Sequence, residues 1–137
     1  MSERTAEIQT YELPTRNGGV HSFTGTLLGS GSSESPEKDR WFEVEIYRDA
    51  RTGSFILHTA GQSRIDGEVP LYRMIITPSA LEVADRLIVH HDRRVYVPNQ
   101  SLRALTAASQ WDDDMLEALR ELPTMIAARQ AGVPRSA

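Results

Sequence analysis

The chain has 137 residues, a formal net charge of −4 at pH 7 and no cysteine. A chain of this length buries roughly 68% of its unfolded surface, enough for one domain with a core, and the missing thiols exclude disulfides, thiolate nucleophiles, zinc fingers and iron–sulfur clusters. The acidic balance argues against nonspecific nucleic-acid binding as the main activity. No apolar run approaches the 18 or so residues of a membrane span, and the opening MSERTAEIQTYE lacks the basic and apolar regions of a secretory signal, so a cytosolic protein without membrane contact is expected.

A first strand is predicted around Ile8–Leu13, ending at Pro14, with Asn17-Gly18-Gly19 as a turn tolerant of positive φ. In His21–Leu28 the residues Phe23, Gly25 and Leu27 share one face, a strand with a bulge or weak spot at Gly25. Gly29–Lys38, GSGSSESPEK, has nothing apolar to bury and is expected as a flexible loop. The clearest local signal follows it: Phe42, Val44 and Ile46 alternate with Trp41, Glu43, Glu45 and Tyr47, a strand with one buried and one wet face. A turn over Asp49–Gly53 returns it to Phe55–Thr59 as an antiparallel hairpin. Gly61–Pro70 is polar and irregular, and Leu71–Thr77, with Met74, Ile75 and Ile76 contiguous, reads as a central strand.

At Pro78 the apolar period changes from 2 to 3.6. Ser79-Ala-Leu-Glu82 has the form of a capping box, and Leu81, Ala84, Leu87 and Ile88 make the stripe of a short helix over 79–88. Val95–Val97 is a last short strand, closed by Pro98; Asn99 or Ser101 caps a helix carrying Leu102 and Leu105. Asp112–Asp114 suit the start of a further helix, where carboxylates answer the macrodipole; it presents Met115, Leu119, Leu122 and Ile126, kinks or restarts at Pro123 and ends at Gly132. The expected architecture is one α+β domain over 1–137: a strand-rich part (1–77) with a flexible loop at 29–38, forming an antiparallel sheet of five or six strands, and a mainly helical part (78–137) whose C-terminal helices pack on one face.

No nucleophile elbow, P-loop or dinucleotide fingerprint is present, so no catalytic residue is assigned. Three groups of residues stand out as interaction or ligand-lining candidates. The densest polar cluster is His90-His91-Asp92-Arg93-Arg94, where adjacent histidines on a strand point apart and two arginines oppose a cation, so an anion-binding turn fits better than a metal site. His58 lies across from Glu43 or Glu45 and within possible reach of His21, but that spacing specifies no metal, and none is assigned, nor any cofactor. Trp41, Tyr47 and Trp111 are aromatic residues with polar handles, an interface if their faces stay open and core if helices cover them. Of the 15 basic residues 14 are Arg, the residue suited to forked contacts with carboxylates and phosphates, although codon usage accounts for such a bias as well.

The stretches Phe23-Thr-Gly-Thr-Leu-Leu28, Val44-Glu-Ile-Tyr-Arg48 and Thr52-Gly-Ser-Phe55, followed by a strand and the Ser79–Leu87 helix, resemble the bacterial EXLDI protein family across roughly the middle half of the chain. The helical segment expected at the front of that family has no counterpart here, and Leu119-Arg-Glu-Leu122 does not match its name motif. The resemblance implies a small bacterial accessory or regulatory protein and no catalytic residues. The leading expectation is therefore a noncatalytic protein-binding module, acting as an accessory, inhibitory or regulatory factor, with a protein partner or, through surplus apolar residues of its last helix, a second copy of itself as a homodimer. A competing expectation is a ligand-binding or enzymatic domain with a pocket between sheet and helices, lined by His58, Tyr72, Arg73 and the His90–Arg94 turn. The third is a regulator touching nucleic acid through Arg93, Arg94 and Arg103.

Overall fold

In the computed structural model, which describes residues 7–134, strands β1 (Ile8–Pro14), β2 (Val20–Ser32), β3 (Arg40–Asp49), β4 (Phe55–Ser63) and β5 (Leu71–Thr77) form one antiparallel sheet in chain order. Helix α1 (Ala80–Arg86), a separate hairpin of β6 (Val89–His91) and β7 (Arg94–Tyr96), and helices α2 (Asn99–Ser109) and α3 (Asp113–Ala131) follow. This is the expected α+β arrangement, with five strands in the main sheet.

The β3–β4 hairpin has the register its alternation dictates, Tyr47 opposite Ile56 and Arg48 opposite Phe55, and Gly53 takes the left-handed turn position at φ +73°. The face that carries Val44, Ile46, Phe55 and Leu57 meets the helices, which contribute Val83, Leu87, Leu105, Met115 and Leu122 to the main core. Phe55 and Ile46 are fully buried there, each side chain contributing about 1.5–3 kcal/mol by leaving water. The opposite face, expected to be wet, holds a second core of Leu13, Phe23, Tyr47 and Ile56, with Tyr11, Leu27 and Met74 around it. Curling of the sheet explains the difference: Pro14, at the end of β1, reaches far enough to accept a hydrogen bond from His58 of β4, so β1 and β2 fold over the face that alternation alone leaves open. Tyr47 is consequently core, in edge contact with Tyr11 (4.8 Å) and Phe23 (5.4 Å).

Gly29–Ser32, expected within the flexible loop, continue β2. The bulge lies between Leu27 and Gly29 and not at Gly25, which instead faces the Arg48 carbonyl with no room for a side chain. Gly29 and Gly31 are pressed against the backbone of α2, so these glycines serve close helix–sheet contact and not flexibility. Strand β5, expected to be central, is the sheet edge. Its apolar run arises because Met74 packs on the second core and Ile75 on the first, while Ile76 stays exposed.

Helix α1 starts as expected, with the Ser79 side chain accepting from the Glu82 amide at 3.2 Å, but the Ser79 amide donates to Thr77 Oγ1 and not to Glu82. Its buried stripe is Ala80, Val83, Ala84 and Leu87; Leu81 lies about 100° round the helix and is exposed. The Val95 strand pairs with β6 and not with the main sheet. Helix α2 is preceded by Pro98 at the cap position, with no side-chain cap, and Ser101 is buried within the helix. Helix α3 runs through Pro123 without restarting, since Met115, Ala118 and Leu122 anchor it and a proline removes one backbone bond.

Asp112 ties α3 to the sheet. One carboxylate oxygen accepts from the Met115 amide (3.0 Å), while the other meets Arg48 Nη1 at 2.6 Å; Arg48 also bonds Asp114 and lies over the Phe55 ring. Because Asp112 is buried, its loss leaves the Met115 amide without a partner and removes the shorter of the two carboxylate contacts of Arg48. Asp112→Ala is expected to cost about 2–3 kcal/mol in urea unfolding, and Asp112→Asn, which keeps the cap acceptor, about 1 kcal/mol less.

Candidate functional site

The pleat divides the expected lining residues between two faces. Rows across β3, β4 and β5 run Phe42–Gly61–Leu71 and Val44–Thr59–Arg73 on the helix side, and Glu43–Ala60–Tyr72 and Glu45–His58–Met74 on the other. Tyr72 and Arg73, neighbours in one strand, point apart, so the expected single pocket of His58, Tyr72 and Arg73 does not form.

On the curled side His58 is 3% exposed. Its Nε2 donates to the Pro14 carbonyl at 2.8 Å, its Nδ1 lies 3.3 Å from Glu45 Oε1, and its ring stacks on Tyr72. Burial disfavours the imidazolium, but Glu45 and the Pro14 carbonyl outweigh it and the His58 pKa is raised above 6.5. Reciprocally, His58 holds Glu45 below the ordinary carboxylate range, against the effect of burial and with help from the Tyr47 hydroxyl. Burial, with Glu45 adding to it, pushes the Tyr47 phenol up. Nearby, the His21 ring stacks on Phe23 with its buried Nε2 unpartnered. The His58–Glu45 pair links β1, β3 and β4, with the imidazole buried and the Glu45 side chain still about a third exposed, so only its Glu45 end is the solvated pair the spacing suggests.

Trp41 is half-buried beneath the Arg64 guanidinium (4.6 Å) and donates from Nε1 to Glu43, so its handle is already engaged. Trp111 is 40% exposed at the α2–α3 turn. Among the described residues no three His, Asp or Glu side chains are placed to hold a metal ion, and no helix is long and apolar enough to cross a membrane.

On the helix side the helices leave the Phe42 end of the sheet uncovered. A groove of about 490 Å³ runs there between β3–β5 and the β6–β7 hairpin. Phe42, Leu71 and Leu87 supply apolar walls, Arg73 and Arg86 supply guanidinium groups, and His90 and His91 complete the polar lining. Phe42 and Leu71 are 63% and 51% exposed, flanking the notch left by Gly61. The hairpin turns on Asp92 (φ +49°) and Arg93 (φ +63°), a two-residue turn of the mirror-image class, which sets His90 and His91 on its first strand.

The structure therefore brings Arg73, His90 and His91 together and separates them from His58 and Tyr72. It separates Arg93 from Arg94 as well: Arg93 lies toward Val133 and Pro134 at the end of α3, while Arg94 sits over the Tyr96 ring beside Lys38 and Arg103. The expected nucleic-acid triad of Arg93, Arg94 and Arg103 is thus not one surface. Sequence reasoning missed Phe42, Leu71 and Arg86. The β3 alternation had aimed Phe42 at the helices, but only the placement of α2 reveals that nothing covers it.

Compared with known proteins, the chain matches no family model, no curated protein and no solved structure.

Proposed function

We propose that this chain is a noncatalytic protein-binding module that holds an extended, acidic segment of a partner protein in the groove between β5 and the β6–β7 hairpin. The observation that carries this reading is the conjunction of an apolar groove, two arginines and two histidines on its lining and an open strand edge beside it. A strand added to β5 gains main-chain hydrogen bonds, and every second side chain enters the groove beside Leu71 and Arg73. Apolar residues of that segment pack on Phe42 and Leu71, and its carboxylates meet Arg73 and Arg86. Arg73 and Arg86 favour carboxylates on the occupant, since the acidic residue of the lining, Glu43, is already engaged by Trp41 and Gln62. An accessory or regulatory role, as the EXLDI resemblance implies, fits a module of this kind; the segments carrying that resemblance build the sheet beneath the groove more than its rim.

Panning a random octapeptide library on the immobilised protein tests the reading. The expected consensus alternates large apolar residues with Asp or Glu, and a selected peptide loses about tenfold in affinity to Arg73→Ala, roughly the worth of one charge-assisted hydrogen bond. Phe42→Ser, at an exposed position, weakens it comparably while leaving the fold intact. Absence of a consensus, or binding indifferent to both substitutions, overturns the proposal. Saturable binding of small aromatic sulfonates without any peptide consensus assigns the groove to a small organic anion instead.

A further inference from the structure

A second cavity, of about 480 Å³, adjoins the groove and shares Tyr96, Pro98 and Gln100 with it as a common wall. Three cations from three separate elements line it: Lys38 from the β2–β3 connection, Arg94 from β7 and Arg103 from α2. Lys38 is the only lysine of the chain. Arg103 donates to the Ser32 carbonyl and Lys38 Nζ to the Ser33 carbonyl at 3.5 Å, contacts that orient both side chains and leave most of their donors free. The acidic residue on the lining, Glu34, is paired with Arg64 at 3.0 Å, so its charge is answered outside the cavity. Arg94 lies 4.7 Å over the Tyr96 ring, held by an aromatic face with its hydrogen-bond donors unspent on carboxylates.

Two guanidinium forks and an ammonium exceed what one carboxylate needs, and they match a tetrahedral dianion. The volume exceeds that of a phosphate group alone, and Tyr96, Val97 and Pro98 offer an apolar wall to whatever the phosphate carries. We propose that this cavity binds a small phosphate ester, its phosphate held by Lys38, Arg94 and Arg103 and its organic part laid against Tyr96 and Pro98. A bounded cavity in a chain of net charge −4 suits a small ester and not a nucleic-acid backbone, which needs an extended basic track. The inference is independent of what the groove holds.

Calorimetric titration of the full chain with inorganic phosphate and with AMP tests it. Both are expected to bind one site competitively, AMP more tightly, and the doubly substituted Arg94→Gln/Arg103→Gln protein is expected to lose at least twentyfold in affinity for each. Lys38→Ala is expected to weaken binding severalfold by itself, and it serves should the double variant melt early. Arg120→Gln, on the exposed face of α3, is expected to change nothing. No saturable binding at millimolar phosphate or AMP, or binding insensitive to these substitutions, overturns the proposal. So does tighter binding of a single-stranded oligonucleotide than of AMP with a steep salt dependence, which marks a polyanion surface.

Discussion

Replacing Gly31 by alanine is expected to destabilise the protein by about 3 kcal/mol or more, and replacing it by valine to remove the folded population at ordinary temperature. A Cβ at Gly31 would overlap the carbonyl oxygen of Gln100, and one at Gly29 would overlap that of Ala104 and lie 2.7 Å from the Ala108 amide nitrogen. These neighbours are helix backbone, which cannot rotate away as a side chain does. Relief requires lifting α2 off β2, and with it Ala104, Leu105 and Ala108 from the main core. Gly53 provides the contrast: its surroundings are open, and Gly53→Ala is expected to cost only about 1 kcal/mol, for the left-handed φ. Urea unfolding followed by circular dichroism distinguishes the two. A Gly31→Ala protein within about 0.5 kcal/mol of the parent would show that α2 does not need this contact.

The other large effect belongs to His58. His58→Ala removes the donor to Pro14, leaves a buried carbonyl unanswered and deprives Glu45 of its partner; a loss of about 2–4 kcal/mol is expected. The loss depends on pH with a definite sign. The folded-state pKa of His58 is raised, so its contribution is complete below the ordinary 6.5 and fades as pH rises through the folded value. Glu45 is lowered, so its contribution is complete above the ordinary 4.5 and fades as pH falls through the folded value. The pair thus stabilises most between 4.5 and 6.5. Melting temperatures of parent and His58→Ala from pH 5 to pH 9 are expected to converge as pH rises. A difference that stays constant or widens would mean that the imidazolium form is not what locks β1 to β4.

Both predictions fall where sequence reading went astray, for a common reason. Gly29 and Gly31 stand in a run of glycine and serine whose composition is that of a linker, and only the backbone of α2, some seventy residues later, gives them a packing role. His58 and Glu45 were recognisable as cross-strand partners, since the hairpin register follows from alternation and a turn. That His58 is buried was not recognisable, because the cover comes from Pro14 and the β1–β2 arm. The groove shows the reverse error: Phe42 reads as core by the same alternation that correctly buries Val44 and Ile46, yet the helices end short of it. Of the polar side chains, His90, His91 and Arg94 were legible as a polar turn, but their division between two cavities follows from which strand of the hairpin each occupies.

What the sequence determined by itself is what neighbouring residues decide among themselves. The β3–β4 hairpin, the change from strand to helix at Pro78, and the caps at Ser79 and Asp112 rest on period-2 alternation and on side chains reaching amides three residues away. The tertiary structure alone decided that each face of the sheet carries a core, that β5 is an open edge, and that Lys38, Arg94 and Arg103 share one cavity. Those outcomes depend on the curl of the sheet and on where α2 crosses it. Both are set by contacts between residues far apart in the chain, which no local period encodes.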